Sequence, residues 1–537
     1  MTQFRKLNPL PLTPTKIAWA CSLLITLTGN VTFFQNLALA YPPNSQNLGF
    51  LLSMAILFVC FHVLFFRIFQ LLIPARILAS LLLFLTAGAA YFSDQFGTVI
   101  DTVMIQNTLE TNVSETSDLL TLSLVLRVLF FAVLPCVLLW RLPYRKQKWL
   151  KERLYALRSI AICTAIMAIC LFSFSAHYAS FFREHKPLRA SANPVYPIYS
   201  AVKFAGEALA QPQSGFVERA SFAATPETDH HSELIILVVG ETARSDHFSL
   251  NGYPRDTNPH LEAEERIISY SDISACGTST SISVPCMFSV DTKKDFNRHL
   301  SRSTENILDI LKKAGVHILW RDNNSDSKGV AERVAFEDFR SPDTNPVCDI
   351  ECRDAGMLDG LQEFVDSHDG DMLIVLHQMG SHGPAYFKRY PEAFELFQPA
   401  CRTAELSDCA QEEIINAYDN TIAYTDYFLS QAIAFLKANT PAYETTLFYI
   451  SDHGESLGEG GIFLHGMPYM FAPEAQTSVP VIIWAGESSD VDFEKSRLLQ
   501  DQPNSHDAVA RTLLELFEIQ TDLVLEHTNP LIAIRDE

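Results

Sequence analysis

Five apolar stretches before residue 185 constrain this chain more than anything that follows them. They run over 17–40, 48–73, 77–92, 119–140 and 159–182. Most approach or exceed the roughly 20 residues that a bilayer-spanning helix needs, and the third falls short unless it starts before Pro74. In hydrocarbon every backbone N–H and C=O must be satisfied within the protein, so these stretches are predicted to be five membrane-spanning helices.

Charges flanking the stretches orient them. Arg5, Lys6 and Lys16 precede the first, and Arg76 lies between the second and third. Arg141, Arg145, Lys146, Lys148, Lys151 and Arg153 lie between the fourth and fifth, whereas 41–47 and 93–118 contain no Lys or Arg. The positive-inside rule places the N-terminus in the cytoplasm and everything after residue 182 outside. Arg127, inside the fourth stretch, is expected to snorkel toward the outer face.

Charge also divides the chain. Residues 1–190 hold 16 Lys/Arg against 7 Asp/Glu, and the remainder holds 24 against 55. An acidic outer part excludes nucleic acid as a partner, which needs a basic surface. The expected organisation is a transmembrane domain at 1–182, a bridge at 183–231 and an α/β domain at 232–537. The bridge has a basic start (Arg183, Lys186, Arg189), an amphipathic run at 198–209, and a linker containing Pro212 and Pro226.

Beyond the bridge, short β-branched runs alternate with helical patterns. Strands are expected at 234–239, 316–320, 372–377, 447–450 and 479–484, with helices at 306–314 and, broken once, at 414–438. This alternation predicts a largely parallel sheet covered on both faces. Ligands of such sheets sit beyond the carboxyl ends of the strands, and three of those ends carry metal-binding chemistry. The first delivers Glu241, the second is followed by His382, and the third by Asp452 and His453, with His465 a dozen residues on. Carboxylates and imidazoles together suit Zn²⁺ better than Mg²⁺ or Ca²⁺, which prefer all-oxygen shells.

Eleven cysteines fall into two groups. Cys21, Cys60, Cys136, Cys163 and Cys170 lie in or beside the apolar stretches and are expected to be buried thiols. Cys276/Cys286, Cys348/Cys352 and Cys401/Cys409 are close pairs in the outer part, and read as three local disulfides. The first pair brackets Thr278, Ser279, Thr280, Ser281 and Ser283. A hydroxyl cluster ahead of an apolar run marks a helix N-terminus, which favours an anion. Any of the five could be a nucleophile on this evidence.

Gly240-Glu-Thr-Ala-Arg-Ser-Asp-His-Phe-Ser-Leu-Asn-Gly-Tyr253, Met379-Gly-Ser-His-Gly-Pro-Ala-Tyr386 and Ser451-Asp-His-Gly-Glu-Ser456 resemble the signature blocks of the lipid A phosphoethanolamine transferases. That family includes the mobile colistin-resistance enzymes, and the likeness runs nearly end to end. It implies an outer domain similar to alkaline phosphatases and sulfatases, in the periplasm of a Gram-negative inner-membrane protein. It implies phosphatidylethanolamine as donor, lipid A as acceptor and Thr280 as a nucleophile that joins Glu241, Asp452 and His453 around Zn²⁺. His382 and His465 are assigned to a second metal or to the substrate phosphate, and Ser325 and Lys328 to the donor. Asn107, Thr111 and Glu115 match the family's donor-binding positions, and their spacing of four places them on one helical face. Two other readings share the scaffold: a phosphotransferase or phosphatase acting on another periplasmic glycan, and a zinc-binding membrane sensor without activity. A sulfatase would carry a Cys/Ser-x-Pro-x-Arg pattern, which this chain lacks.

Overall fold

The computed structural model describes residues 11–110, 113–209, 215–226, 231–525 and 528–535, with the side chains of 113–115, 186 and 187 also outside that description. The chain divides into two compact units. One comprises 1–105 and 120–205, the other 106–119 and 206–537.

In the first unit four helices are long and apolar enough to cross a membrane: Leu48–Phe69, Ala75–Phe96, Leu122–Arg141 and Trp149–Ser173. A bent pair, Pro14–Gly29 and Val31–Ala40, can make a fifth. Several boundaries differ from those expected. The first stretch bends by 61° at Asn30, whose side-chain amide donates to Ile25 O (3.1 Å) and Asn193 O (2.9 Å) while its Oδ1 accepts from Asn193 N–H. The third helix starts directly after Pro74 and reaches 22 residues. The last starts at Trp149 because the basic segment before residue 159 continues it. A π turn at Leu129–Val133 interrupts the fourth ahead of Pro135, whose missing N–H breaks the α-helical ladder. The Arg127 guanidinium pairs with the Asp94 carboxylate, in the last turn of Ala75–Phe96, and donates to Thr28 O (3.0 Å). A cation within an apolar stretch is retained where an anion neutralises it.

The second unit is built on an eight-stranded sheet: β1 Glu233–Gly240, β2 Ile267–Ser274, β3 His317–Asp322, β4 Ala335–Asp338, β5 Met372–His377, β6 Glu444–Ser451, β7 Ser478–Ala485 and β8 Asn504–Ser505. Their spatial order is β8-β2-β7-β6-β1-β5-β3-β4. Only β7 runs against the others, pairing antiparallel with β2 and β6. Alternate residues of β1 enter two cores: Ile235, Leu237 and Val239 on one face, and Leu234, Ile236 and Val238 on the other. All six are fully buried. At about 1.5–3 kcal/mol per buried side chain, burial on both faces explains a continuous apolar run in place of alternation.

Helices Ile307–Ala314 and Ala508–Leu516 cover the first face. Asn306 caps the former in a capping box with Asp309, and Gly315 ends it in the left-handed region at φ 106°. Helix Gln411–Asn439 covers the second face and runs unbroken for 29 residues, where one break was expected. Disulfides join Cys276–Cys286, Cys348–Cys352 and Cys401–Cys409. The five remaining cysteines are buried thiols.

Candidate active site

Adjacent strands β1 and β6 end side by side, with Gly240 opposite Ser451. The residues that follow, Glu241 and Asp452, are therefore neighbours. Asp452 N–H donates back to Gly240 O (3.0 Å), and Thr242 N–H donates to Asp452 Oδ1 (3.1 Å). Thr242 sits at φ 54°, which costs a non-glycine residue of order 1 kcal/mol or more. On the other side of β1, Gly380 after β5 lies so close to Glu241 that a Cβ there would meet Glu241 O at 2.9 Å.

Glu241, Asp452 and His453 are buried and form a group able to hold a metal ion, their ligand atoms lying within 4.8 Å of one another. His453 Nδ1 lies 2.9 Å from Gly454 O. A carbonyl only accepts, so Nδ1 carries the proton and the Nε2 lone pair faces Asp452 Oδ2 (3.3 Å) and Glu241 Oε1 (3.6 Å). Asp452 Oδ2 is buried and accepts no hydrogen bond among the described residues. Two buried carboxylates and an imidazole lone pair converging on one point fit a cation, and the N/O set fits zinc. Burial, outweighing the Asp452 carboxylate, holds His453 below the usual histidine range.

Thr280 is the first residue of helix Thr280–Met287, with Ser279 as its N-cap. Its hydroxyl donates to Glu241 Oε2 (3.0 Å) and lies 3.4 Å from His453 Nε2. Of the five candidate hydroxyls, the others bond elsewhere. Thr278 donates to Met467 O (2.7 Å), Ser283 accepts from Gly277 N–H (2.9 Å), and Ser279 and Ser281 face one another at 3.3 Å. Ser281 also donates to Asn107 Oδ1.

His382 and His465 are not in the three-residue metal group but stand beside it. Ring centroids are 4.5 Å apart for His453 and His465, and 5.4 Å for His382 and His465. His465 Nδ1 is 2.8 Å from Glu455 Oε2, and the Tyr386 hydroxyl donates to Glu455 Oε1 (2.8 Å). Burial first, then the neighbouring His465, Arg389, His453 and Lys328, holds His382 well below the usual range, so it stays neutral at physiological pH. Lys328 is buried, with Nζ donating to Ser325 O (2.9 Å). Thr111 lies outside the described residues, as does the Glu115 side chain.

Three polar groups carry roles that the sequence reading did not assign them. Asn324 Nδ2 donates to both Glu241 Oε2 and Gln378 O, each at 2.7 Å. Asp322 accepts from His377 Nδ1 (2.8 Å), Trp320 Nε1 (3.0 Å) and the Asn324 and Asp326 N–H groups, which shapes the loop that carries Lys328. Burial alone would raise its pKa, but His377 and these donors prevail and hold it below the usual carboxylate range. Asp354 accepts from Asn323 Nδ2 (2.8 Å), Met379 N–H (2.9 Å) and Gly380 N–H (3.1 Å), fastening two site loops together. His377, at the end of β5, is thus committed to Asp322.

Residues 233–519 match the Sulfatase family, and 57–209 match the family described as Phosphoethanolamine transferase EptA/EptB. Phosphatidylethanolamine transferase Mcr-1 of Escherichia coli is 42% identical over 531 residues, spanning 96% of this chain and 97% of that protein. The chain belongs to the phosphoethanolamine transferases. Phosphoethanolamine transferase EptA of Salmonella typhimurium is 37% identical over 94% of each chain. The transferase also superposes on the integral membrane lipooligosaccharide phosphoethanolamine transferase A of Neisseria meningitidis. The TM-score is 0.90, at 31% identity over 95% of this chain and 97% of that one. Fold class and family thus agree with the sequence reading, for both the helical membrane part and the sulfatase-like α/β part.

Proposed function

We propose that this transferase moves phosphoethanolamine from phosphatidylethanolamine to a lipid A phosphate at the periplasmic face of a Gram-negative inner membrane, by way of a phosphorylated Thr280. The relatives' names supply the substrate classes: phosphatidylethanolamine for Mcr-1, and Kdo(2)-lipid A for a 27% identical Escherichia coli enzyme. The observation that carries the reading is the Thr280 hydroxyl, held at a helix N-terminus and donating to Glu241 inside the Glu241/Asp452/His453 group.

In the first half-reaction Thr280 Oγ1 attacks the donor phosphorus and its proton leaves along the hydrogen bond to Glu241. The P–O bond to diacylglycerol breaks and the departing oxygen takes a proton from solvent, while the threonine proton stays on Glu241 for the second half-reaction. In the second, a lipid A phosphate oxygen attacks the same phosphorus and the threonine oxygen departs, regaining its proton. A covalent intermediate implies ping-pong kinetics. Glu241, Asp452, His453 and the Thr280 oxygen would hold zinc, which supplies Lewis acidity and lowers the pKa of the hydroxyl. His382, His465, Ser325 and Lys328 then surround the transferred phosphate, the Lys328 cation offsetting its charge. Asn107, Thr111 and Glu115 receive the ethanolamine end, where a carboxylate is the natural partner of an ammonium. Each ethanolamine amine added to lipid A offsets negative charge, weakening its binding of polymyxin and colistin.

The test is Thr280→Ala in the full-length enzyme. It should retain bound metal and membrane insertion, lose release of diacylglycerol from phosphatidylethanolamine, and lose the phosphoethanolamine adduct seen by intact-protein mass spectrometry. Thr280→Ser should retain part of each. An alanine variant that still modifies lipid A would move the nucleophile to a neighbouring hydroxyl.

A further inference from the structure

Residues 106–119 join two membrane helices in sequence, yet they group with the catalytic unit in space. The segment takes in the end of one nine-residue helix, Thr102–Glu110, and a second helix of seven residues, Val113–Leu119, which carries Asp118. Isolated helices shorter than about 12–15 residues are marginal in water, so tertiary contacts must hold both in place. Two of the segment's contacts are well defined. Near the start, Asn107 Oδ1 accepts from Ser281, the residue after the nucleophile. At the end, the buried Asp118 carboxylate accepts from Lys388 Nζ and from Arg389 Nη2 (3.0 Å).

Arg389 is more than one half of an ion pair. Its side chain is 2% exposed. While Nη2 holds Asp118, Nη1 pairs with Glu351 inside the Cys348–Cys352 loop, and Nε donates to His382 O (2.7 Å). A guanidinium is planar and its donors have a fixed geometry. Arg389 therefore sets the segment, the disulfide loop and the backbone of His382 in one register. Two cations face two carboxylates, so the cluster is neutral as built. Withdrawing Asp118 would leave Lys388 without its carboxylate and the buried Arg389 with only the partly exposed Glu351, which strongly disfavours an open arrangement.

We propose that Asp118 and Arg389 form an ionic latch that positions the 106–119 segment, and with it Asn107, against the nucleophile helix for donor binding. Asp118 is a positioning residue that acts through the segment it anchors. The kinetic consequence rests on the donor reading above, whereas the structural consequence does not.

The test uses full-length enzyme in detergent and the variant Asp118→Asn, which keeps size and loses charge. Hydrogen exchange in 102–110 should quicken by about tenfold, the equivalent of about 1.4 kcal/mol, while exchange in 280–287 stays unchanged. The KM for a fluorescent phosphatidylethanolamine should rise about tenfold with kcat and metal content little altered, and the melting temperature should fall because Arg389 loses a buried partner. Asp118→Glu should recover part of both effects. Lys388→Gln, which spares the buried Arg389, should act in the same direction more weakly and provides the reading if Asp118→Asn fails to fold. Unchanged exchange in 102–110 overturns the latch. So does a fall in kcat at constant KM, which marks a merely structural ion pair. Wild-type enzyme that leaves phosphatidylethanolamine uncleaved sinks the donor assignment instead, with the exchange result still deciding the latch.

Discussion

Asn324 offers a sharp test of how the Glu241 carboxylate is held. Its amide is buried and divides its two N–H donors between Glu241 Oε2 and Gln378 O, both at 2.7 Å. Asn324→Leu preserves volume and removes both donors. A hydrogen bond to a charged group contributes about 1.5–3 kcal/mol. If that contribution fixes the carboxylate that accepts from Thr280, kcat/KM should fall roughly 10- to 100-fold, at about 1.4 kcal/mol per tenfold. If Glu241 holds a metal, removing such a support for it weakens metal affinity by a similar factor, about 10- to 100-fold. Leaving Gln378 O unsatisfied costs a further ~1–3 kcal/mol of stability. Asn324→Asp should be worse than leucine for both rate and metal, because it sets a second carboxylate beside Glu241. The assay combines release of fluorescent diacylglycerol from labelled phosphatidylethanolamine, metal content by inductively coupled plasma mass spectrometry, and thermal melting. A folded Asn324→Leu variant with wild-type metal content and kcat/KM within about twofold of wild type would refute the reasoning.

Two further outcomes are expected. Glu115→Gln should impair donor use far more than Glu110→Gln although each removes one charge, since Glu110 accepts from Gln106 Nε2 (3.0 Å) within its own helix; equal losses in the donor-cleavage assay would reduce the segment to a general acidic surface. His506, pushed down to about 4 by burial, joins the two halves of the site, accepting from Cys276 N–H (3.1 Å) and donating to Ser451 O (2.9 Å). An unfolded histidine titrates near 6.5, so between pH 6.5 and 4 the unfolded state binds the extra proton. Stability present above pH 6.5 is therefore lost as pH falls through that window, by up to about 1.4 kcal/mol per pH unit. His506→Gln, which can make both bonds without titrating, should flatten the fall in melting temperature between pH 7 and 5; identical slopes would show that other groups carry it.

Much of this protein is legible in its sequence because the determining signals are local. Apolar length and flanking charge mark the membrane helices. Burial on both faces marks β1, β5 and β6, and the residue after a buried strand must emerge at the sheet's end, which is why Glu241, Asp452 and His453 were readable as one set. Cysteines close in sequence pair across short loops.

Other features depend on which elements become neighbours in space. Nothing local distinguishes Asn324 from the residues flanking it, or reserves His377 for Asp322 while His382 stands beside His465. Those roles come from strands β1, β3, β5 and β6 lying adjacent, an order set by crossovers through the packed helices. Choosing Thr280 among five hydroxyls required resemblance, because only the folded loop shows which one reaches Glu241. Arg127 pairs with Asp94 because two helices pack together, and the 106–119 segment joins the catalytic unit through Asp118 and Arg389, which are 271 positions apart. Hydrophobic period and helix caps act over a few residues, whereas ion pairs and shared hydrogen bonds need only spatial proximity, and tertiary structure alone decides that.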